Sequence, residues 1–571
     1  MTEEAAATDY SGYNTPSSTQ IEQPLVVEDA GAFAWDEKCD MLVVGYGLAG
    51  ASAALKAAEL GGLDIVLADR FNGGGTSALS GGVVYAGGGT HVQKQFGIAD
   101  SAEGLAQYLM NEVGTLRRPE TVKRFAASST QMIDWLEARG VTFDGPVYEK
   151  KASYPPPPYF LYYSGNEKVP AFSGQHPPAP RGHRARPSDS RDLKKFSGDV
   201  MMAGLKRTVE ATPAIRLHLQ AAARRLIVDA QGGVIGAELW QIPPGSKAAR
   251  RHQFYTQLSQ KMVVLALGLN GPLARAAAAI ERRYAQPVRV LARRGVVLAT
   301  GGHVDNRRIV EDASPAFAKA MAAGTAGDDG SALRLGQGVG ARLGQMHLLS
   351  AWRFVSPPMS WIKGIVVDAR GQRIVNEECY GARLGDALFE QANGRAWLIT
   401  DAPVQVAARY ELKHDPLWPF QRLPAQFAAM RAKRAATIQE LEAKLGFAPG
   451  SLVATVEVYN GATQSGAPDA FGKSDQFRTA LATGPFYAMD ISYDAPLNPV
   501  GAITLGGLDV DEDTAGVRNV SGEPIAGLYA VGRSAVGLCS ENYISGLSLA
   551  DCVWSGWQAA ETIAGNARGD N

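Results

Sequence analysis

The chain has 571 residues, 46% hydrophobic and 20% charged, with a formal net charge of −1. That length and apolar content predict two or more well-buried units, and a charge near zero makes no case for nucleic acid or for an acidic partner. Cys39, Cys379, Cys539 and Cys552 are scattered without a C-x-x-C pair, which argues against a zinc site, a redox dithiol or a disulfide framework and fits a reducing cytosol.

Residues 1–33 are rich in Thr, Ser and Glu and lack a basic segment followed by an apolar one, so no signal peptide is read there. A flexible arm, or an arm laid on a neighbouring subunit of a homo-oligomer, is expected. No run reaches the roughly 18 apolar residues that span a bilayer.

The first strong pattern is MLVVGYGLAGASAALKAAEL, Met41 to Leu60. Met41 to Val44 reads as a buried parallel strand. Gly45, Gly47 and Gly50 follow at G-x-G-x-x-G spacing, and an Ala-rich helix runs on to Gly61 and Gly62. Gly45 permits a sharp turn, Gly47 lets backbone approach a pyrophosphate, and Gly50 lets helix and strand pack closely. The helix N-terminus then faces the phosphates. A second strand, Asp64 to Ala68, ends at Asp69, where a carboxylate would bind a ribose hydroxyl. The loop after it, with Gly73, Gly74, Gly75, Thr76, Ser77, Ser80, Gly81 and Gly82, is small and polar enough to lie against a planar ring and bond its edge.

Ser101 to Arg139 is expected to be helical, with apolar spacing at Leu105, Tyr108, Leu109, Met132 and Trp135. Tyr154 to Tyr163, YPPPPYFLYY, and Gly174 to Pro187 read as an ordered insertion whose aromatics pack on the body, in preference to a polyproline ligand for a partner. Ile215 to Leu239 predicts a strand pair across Gln231-Gly232. Gln241 to Ala292 holds Lys247, Arg250, Arg251 and the apolar segments Met262 to Leu269 and Leu273 to Ile280. A buried hairpin insertion or an oligomer contact is preferred here. The alternative is peripheral membrane contact through 262–280, which would place the protein at the inner face of the membrane rather than free in the cytoplasm. Gly295 to Thr300 returns as a strand ended by Gly301 and Gly302, and Gly327 to Gly330 (GDDG) precedes a helix. From about Met346 the composition shifts to Trp, Pro and aromatic residues and strand–helix order becomes irregular until about Asn498, which reads as an inserted domain. Ala502 to Asp511 and Gly527 to Gly532 return to the first domain, and a last helix covers Leu549 to Ile563. His91, His303 and His347 show no ligand spacing, so no metal is assigned.

These motifs stand in one order: the glycine turn, GGTS and SGG, ATGG, GDDG, GQRIVNE, TLGGLDVD and GLYAVG. Together they resemble the flavoprotein family that holds fumarate reductase and the 3-ketosteroid dehydrogenases. The likeness runs from Asp40 to the last helix, outside the N-terminal arm, the Pro-rich insertion and Gln241 to Ala292. It implies an α/β fold, with a Rossmann-like FAD-binding domain of the glutathione-reductase type and an inserted α+β substrate domain. The implied division is 34–345 and 499–571 for the FAD domain, with insertions near 150–190 and 241–292, and 346–498 for the catalytic cap. FAD, bound non-covalently, is implied at Gly45, Gly47, Gly50, Asp69, Gly75, Thr76, Ser77, Gly82, Ala223, Thr300, Gly301, Asp329, Gly532 and Ser548. The neighbours Leu48, Ala49, Arg70, Gly74, Ser80, Gly81, Ala299, Gly302, Arg533 and Leu549 complete the expected set. Arg533 stands where the family usually has Glu, which puts that side chain's bond to the cofactor's ribityl chain in question.

The segment Ser540 to Ser548, SENYISGLS, decides among relatives. Fumarate reductases carry an Arg there that clamps a substrate carboxylate; aligned on Asn542 and Ser548, that position is Tyr543. A phenol cannot supply the fixed cationic fork. Tyr-x-Ser-Gly looks like the Δ4-(5α) 3-ketosteroid dehydrogenases more than the Δ1 enzymes, which have Tyr-x-Gly-x-Gly. The resemblance implies that Tyr380, Tyr543 and Ser545 meet at the flavin face. Tyr380 with Ser545 would abstract a proton beside the ketone, and Tyr543 would relay it or bond the carbonyl. The expected activity is FAD-dependent dehydrogenation of a 3-ketosteroid or a similar apolar ketone. The alternatives are a Δ1-dehydrogenase, a reductase of an activated C=C bond, and a flavin- or lipid-binding protein without turnover. No electron acceptor is identified.

Overall fold

The computed structural model describes residues 8–174, 176–187, 196–264, 270–539 and 541–565. At its centre the strand Glu37–Val44 has Met41, Leu42, Val43 and Val44 all buried. A strand with both faces apolar must be covered on both sides, and its alternation divides the core. Met41 and Val43 join one cluster with the helices Leu48–Leu60 and Leu547–Gly565. Leu42 and Val44 join another, with Ala223, Leu226 and Leu333.

The large sheet has nine strands. Its main path runs Leu25–Val27, Ala221–Asp229, Val234–Gln241, Gln286–Leu298, Glu37–Val44, Ile65–Asp69, Ile215–Leu219. The expected turn at Gln231-Gly232 joins two of these as an antiparallel pair. The strand expected from Gly295 is longer, Gln286–Leu298. Its first half pairs antiparallel with Val234–Gln241, and its second half lies parallel between Glu37–Val44 and Pro524–Ala530. The single helix expected over Ser101 to Arg139 is two, Ala102–Val113 and Pro119–Glu137. Gly114 at φ +88° and Pro119 at the first helical position break it, as neither can continue a helix there.

A separate four-stranded antiparallel sheet runs Ile365–Asp368, Ala396–Thr400, Phe486–Asp490, Lys433–Ala435. It too is covered on both faces, with Val366, Leu398 and Met489 on one side and Val367, Ile399 and Ala488 on the other. The chain goes out along Leu349–Trp352 and comes back along Gly501–Thr504, which are antiparallel neighbours.

Two further segments are docked on this frame. Gln241 to Ala292 contains a pair of helices, Lys247–Val264 and Asn270–Tyr284, packed on each other. The segment 262–280 named above for membrane contact crosses the join between them, and its residues 265–269 lie outside those described. The N-terminal segment, expected to be flexible or laid on a neighbour, is instead tied to this chain from Thr8 onward. Gln337 bonds Thr8 and Tyr10, Arg334 bonds Asn14 and Thr19, and the Thr19 N–H donates to Asp329 at 2.6 Å. Arg70 joins everything: Nε to Glu281 at 3.1 Å, Nη1 to Asp329 at 3.0 Å and Nη2 to the Ser17 carbonyl at 2.7 Å. His252 adds a contact to Glu281 at 2.9 Å.

Burial by itself would raise the Glu281 carboxyl, but Arg70 and His252 outweigh it and hold it at about 2. A carboxylate depressed in the folded state contributes stability that is complete above its unfolded value and is lost as pH falls toward the folded one. The urea midpoint is therefore expected to fall between about pH 5 and pH 3. Glu281→Gln, already short of that charge, should show a lower midpoint at neutral pH and a flatter fall. Equal pH slopes in the two proteins would contradict the ionic role.

Candidate active site

One cavity of about 620 Å³ runs from the glycine turn to Tyr543. Its first part is built by close backbone approach. Gly45 has φ +111°, and a Cβ there would sit 2.3 Å from the Ala299 carbonyl oxygen. At Gly50 a Cβ would lie 1.8 Å from the Gly45 carbonyl oxygen. The helix Leu48–Leu60 begins with no side-chain cap and no acidic residue in its first turn, so its N-terminal partial charge is open to an anion. A Cβ built on Gly47 meets nothing nearer than Ser77 Oγ at 3.5 Å, and Gly47 lines the cavity. Leu48 N–H donates to that Ser77 hydroxyl at 3.1 Å.

Of the expected cofactor positions, Gly45, Gly47, Leu48, Ala49, Asp69, Arg70, Gly75, Thr76, Ser77, Ser80, Gly81, Gly82, Ala223, Ala299, Thr300, Gly301, Arg533, Ser548 and Leu549 line this cavity. Gly50, Gly74, Gly302, Gly532 and Asp329 do not. The four glycines shape the wall from behind: Gly74 N–H bonds the Tyr46 carbonyl and Gly532 N–H bonds Ser555. Asp329 is turned away, spent on Thr19, Arg70 and Ser331. Its neighbour Asp328 lines the cavity instead. Asp328 accepts from Thr76, from the Thr325 N–H at 3.0 Å and from Arg533 at 2.5 Å. Arg533, the departure from the family pattern, is thus committed to a carboxylate. Asp69 accepts from the N–H groups of Tyr46 and Phe71, each at 2.8 Å, and so fixes the turn as well as lining the cavity.

At the far end the structure brings Tyr380, Tyr543 and Ser545 to the same cavity. The Tyr543 ring lies 6.5 Å from that of Tyr380 and 5.4 Å from that of Trp352, centre to centre. Burial raises both phenols above the ordinary value, the neighbouring Tyr543 adds to the rise at Tyr380, and hydrogen bonding with Ser545 offsets part of it. Both are therefore neutral hydrogen-bond donors near pH 7. Backbone bonds hold them. Tyr380 N–H donates to Asn166 Oδ1 at 2.5 Å, Ser164 Oγ donates to the Ser545 carbonyl at 2.9 Å, and Tyr85 N–H to the Gly546 carbonyl at 3.0 Å. The surrounding wall is apolar: Trp352, Phe354, Trp361, Leu398, Phe420 and Met489.

The charged side chains lining the cavity are Asp69, Arg70, Asp328 and Arg533. Both cations already hold carboxylates. Arg383, the one nearby candidate for a substitute clamp, bonds Asn542 at 2.7 Å and the Glu112 carbonyl at 2.7 Å, and pairs with the Glu112 carboxylate at 3.3 Å. No described side chain offers a dicarboxylate a free cationic fork in this cavity.

Asp328, Asn166, Trp352, Tyr154 and Thr19 escape sequence reasoning. Asp328 had a signal, since it shares the GDDG motif with Asp329. Tyr154 lay in a segment singled out for its aromatics. It reaches the cavity because its hydroxyl bonds the Gly81 carbonyl at 3.0 Å and the Arg184 guanidinium lies 4.6 Å from its ring centre.

The cavity runs from a helix N-terminus at one end to buried hydroxyls at the other, and together with the matches that follow it defines a flavin-dependent oxidoreductase. Residues 40–549 match the FAD binding domain family, and the chain belongs to it. It is 35% identical over 534 residues to the 3-oxo-5-alpha-steroid 4-dehydrogenase of Comamonas testosteroni, covering 90% of this chain and 96% of the relative. It is 24% identical to a probable fumarate reductase of Shewanella frigidimarina, covering 95% of this chain and 77% of that one. Among solved structures, the 3-ketosteroid Δ4-(5α)-dehydrogenase of Rhodococcus jostii RHA1 superposes with a TM-score of 0.78 at 30% identity, over 95% of this chain and all of that one.

Gly47→Val would push a branched side chain into the space against Ser77. The purified variant is expected to be colourless, without the visible flavin spectrum of the parent. A variant that keeps one FAD per chain would show that the pyrophosphate does not lie there.

Proposed function

We propose that this enzyme dehydrogenates a 3-ketosteroid and forms the C4–C5 double bond. The observation that carries the proposal is the pairing of Tyr380, Tyr543 and Ser545 at the end of an apolar cavity whose cations are all paired. An uncharged, largely apolar ketone fits such a wall, and a dicarboxylate does not. Two of the relatives named above are, by name, dehydrogenases of 3-oxo steroids at C4. Ser545 also favours this reading over Δ1 chemistry, since the Δ1 pattern has glycine at that position.

FAD, when bound, would supply the acceptor for the hydride that leaves the substrate's β-carbon. The chain supplies the rest. Tyr543 donates a hydrogen bond to the ketone oxygen and so acidifies the α-proton. Tyr380, in the small fraction ionised to phenolate, receives that proton and becomes the neutral phenol, and the Ser545 hydrogen bond favours the phenolate beforehand. Trp352, Phe354 and Leu398 exclude water from the reacting carbons. These residues come from 349–398, so we read 346–498 as the unit that caps the substrate. Asp328 and Arg533 hold the loop ends that face the cofactor. Among the described residues no helix is long and apolar enough to cross a membrane.

Tyr543→Phe removes one hydroxyl from a packed ring, so fold and FAD content should survive. Flavin bleaching by a saturated 3-ketosteroid, followed by stopped flow, should slow by about 10²- to 10⁴-fold. Ser545→Ala should slow it less. Unchanged bleaching in Tyr543→Phe would remove that hydroxyl from the reaction, and activity on fumarate without activity on ketosteroids would remove the substrate class. A second outcome concerns pH. Because both phenols titrate above their ordinary value, the reactive phenolate grows about tenfold per pH unit through the neutral range. The bleaching rate should therefore climb with pH without levelling below about pH 9, and Tyr380→Phe should flatten the climb. A rate independent of pH in the parent would point to a different base.

A further inference from the structure

The helix Pro419–Arg431 has two apolar stripes, only one of which is used by the cavity. Gln421, Pro424, Ala425 and Ala428, at i, i+3, i+4 and i+7, form part of the cavity wall. Beside that stripe, Leu423 is 61% exposed and Met430 75% exposed, while Phe420 both lines the cavity and is half open to solvent. The preceding helix, Ala402–His414, adds Val406 at 67% and Tyr410 at 66% exposure, one turn apart. Large apolar side chains standing this far out, next in the chain to a half-exposed cavity residue, mark an interaction surface.

Charge says what covers it. The whole chain carries a net charge of −1, yet residues 402–434 hold six basic residues against two acidic ones. Arg409, Lys413, Arg431, Lys433 and Arg434 are exposed. Of the two acids, Glu411 is occupied by the Ser360 N–H and hydroxyl, and Asp415 lies in the turn between the helices. An apolar stripe with a basic border is the pattern of a surface that lies on anionic lipid. We infer that the face formed by helices Ala402–His414 and Pro419–Arg431 docks on an anionic bilayer, with the cavity mouth at Phe420 turned toward the lipid. A substrate that partitions into membranes would then enter without crossing water. That purpose rests on the steroid reading; the docking itself does not. The surface is distinct from segment 262–280, which belongs to the helical pair beside Arg70.

The test is co-sedimentation of the full-length holoenzyme with vesicles of phosphatidylcholine alone or mixed with phosphatidylglycerol. Binding is expected with the anionic vesicles, weakening as salt rises past about 0.2 M. Leu423→Asp with Met430→Asp should bind at least about tenfold more weakly, and Arg431→Gln with Lys433→Gln and Arg434→Gln should lose the preference for anionic lipid. Neither set lines the cavity, so bleaching by steroid delivered from cyclodextrin should match the parent, while bleaching by steroid held in vesicles should slow. A parent that stays in the supernatant, or variants that sediment as the parent does, would overturn the inference. So would a parent dimer that the Asp variant dissolves, since a second copy would then cover the face. Vesicle binding that follows the prediction in a protein inert toward ketosteroids would leave the docking standing and remove the substrate.

Discussion

The close approach of three backbone segments at the ends of the central strands governs the rest of this molecule. The carbonyls of Gly45 and Ala299 lie where a Cβ on Gly50 or on Gly45 would have to be. That packing sets the helix Leu48–Leu60 directly on the sheet and leaves its first turn uncapped at the cavity. The position of Asp69 follows, because its carboxylate accepts from the turn's own N–H groups. So does that of the final helix, where Gly556 rests against Ala49 and Ala53. A side chain at any of these contacts would have to push apart elements that are each buried on two sides.

The end of the cavity that holds Tyr380, Tyr543 and Ser545 is governed by a different balance. Its hydroxyl groups are buried among aromatic and aliphatic side chains, and burial opposes their ionisation. The polar atoms that hold them are therefore supplied nearby in space, by Asn166, Ser164 and Tyr85, on segments outside residues 346–498. The sheet Val83–Tyr85, Gly182–Arg184, Leu161–Tyr162, Val147–Tyr148 thus braces the loop that carries Tyr543 and Ser545, although the Pro-rich segment between its strands looks like an appendage. Arg184 locks that segment by standing over the rings of Tyr154 and Phe160.

The frame was legible because its signals are local. A four-residue apolar strand, three spaced glycines and an Ala-rich helix each mean the same thing to their neighbours. The triad of hydroxyls was legible through resemblance rather than spacing, as Tyr380 and Tyr543 are 163 positions apart in the chain. Other features depend on long-range contacts. Nothing in the polar run Thr8 to Gln20 announces that Arg70, Arg334 and Asp329 will hold it. The choice between Asp328 and Asp329 turns on which carboxylate faces Thr76 and Arg533, and adjacent residues point in different directions whatever their motif. The break at Gly114 and Pro119, by contrast, was written in the residues and outweighed by a periodicity that continues on either side of it.

The strands Leu349–Trp352 and Gly501–Thr504 have one more implication. They leave and re-enter the first domain as paired neighbours, with Ala351 opposite Ala502. Holding the two ends of a segment together costs entropy that grows only with the logarithm of its length, about 0.6 kcal/mol per doubling. The roughly 150 residues between them can therefore change in length with little effect on the strands that anchor them. A change of length between those strands is thus carried by one hydrogen-bonded doorway, Leu349–Trp352 against Gly501–Thr504, and not by the glycine turn.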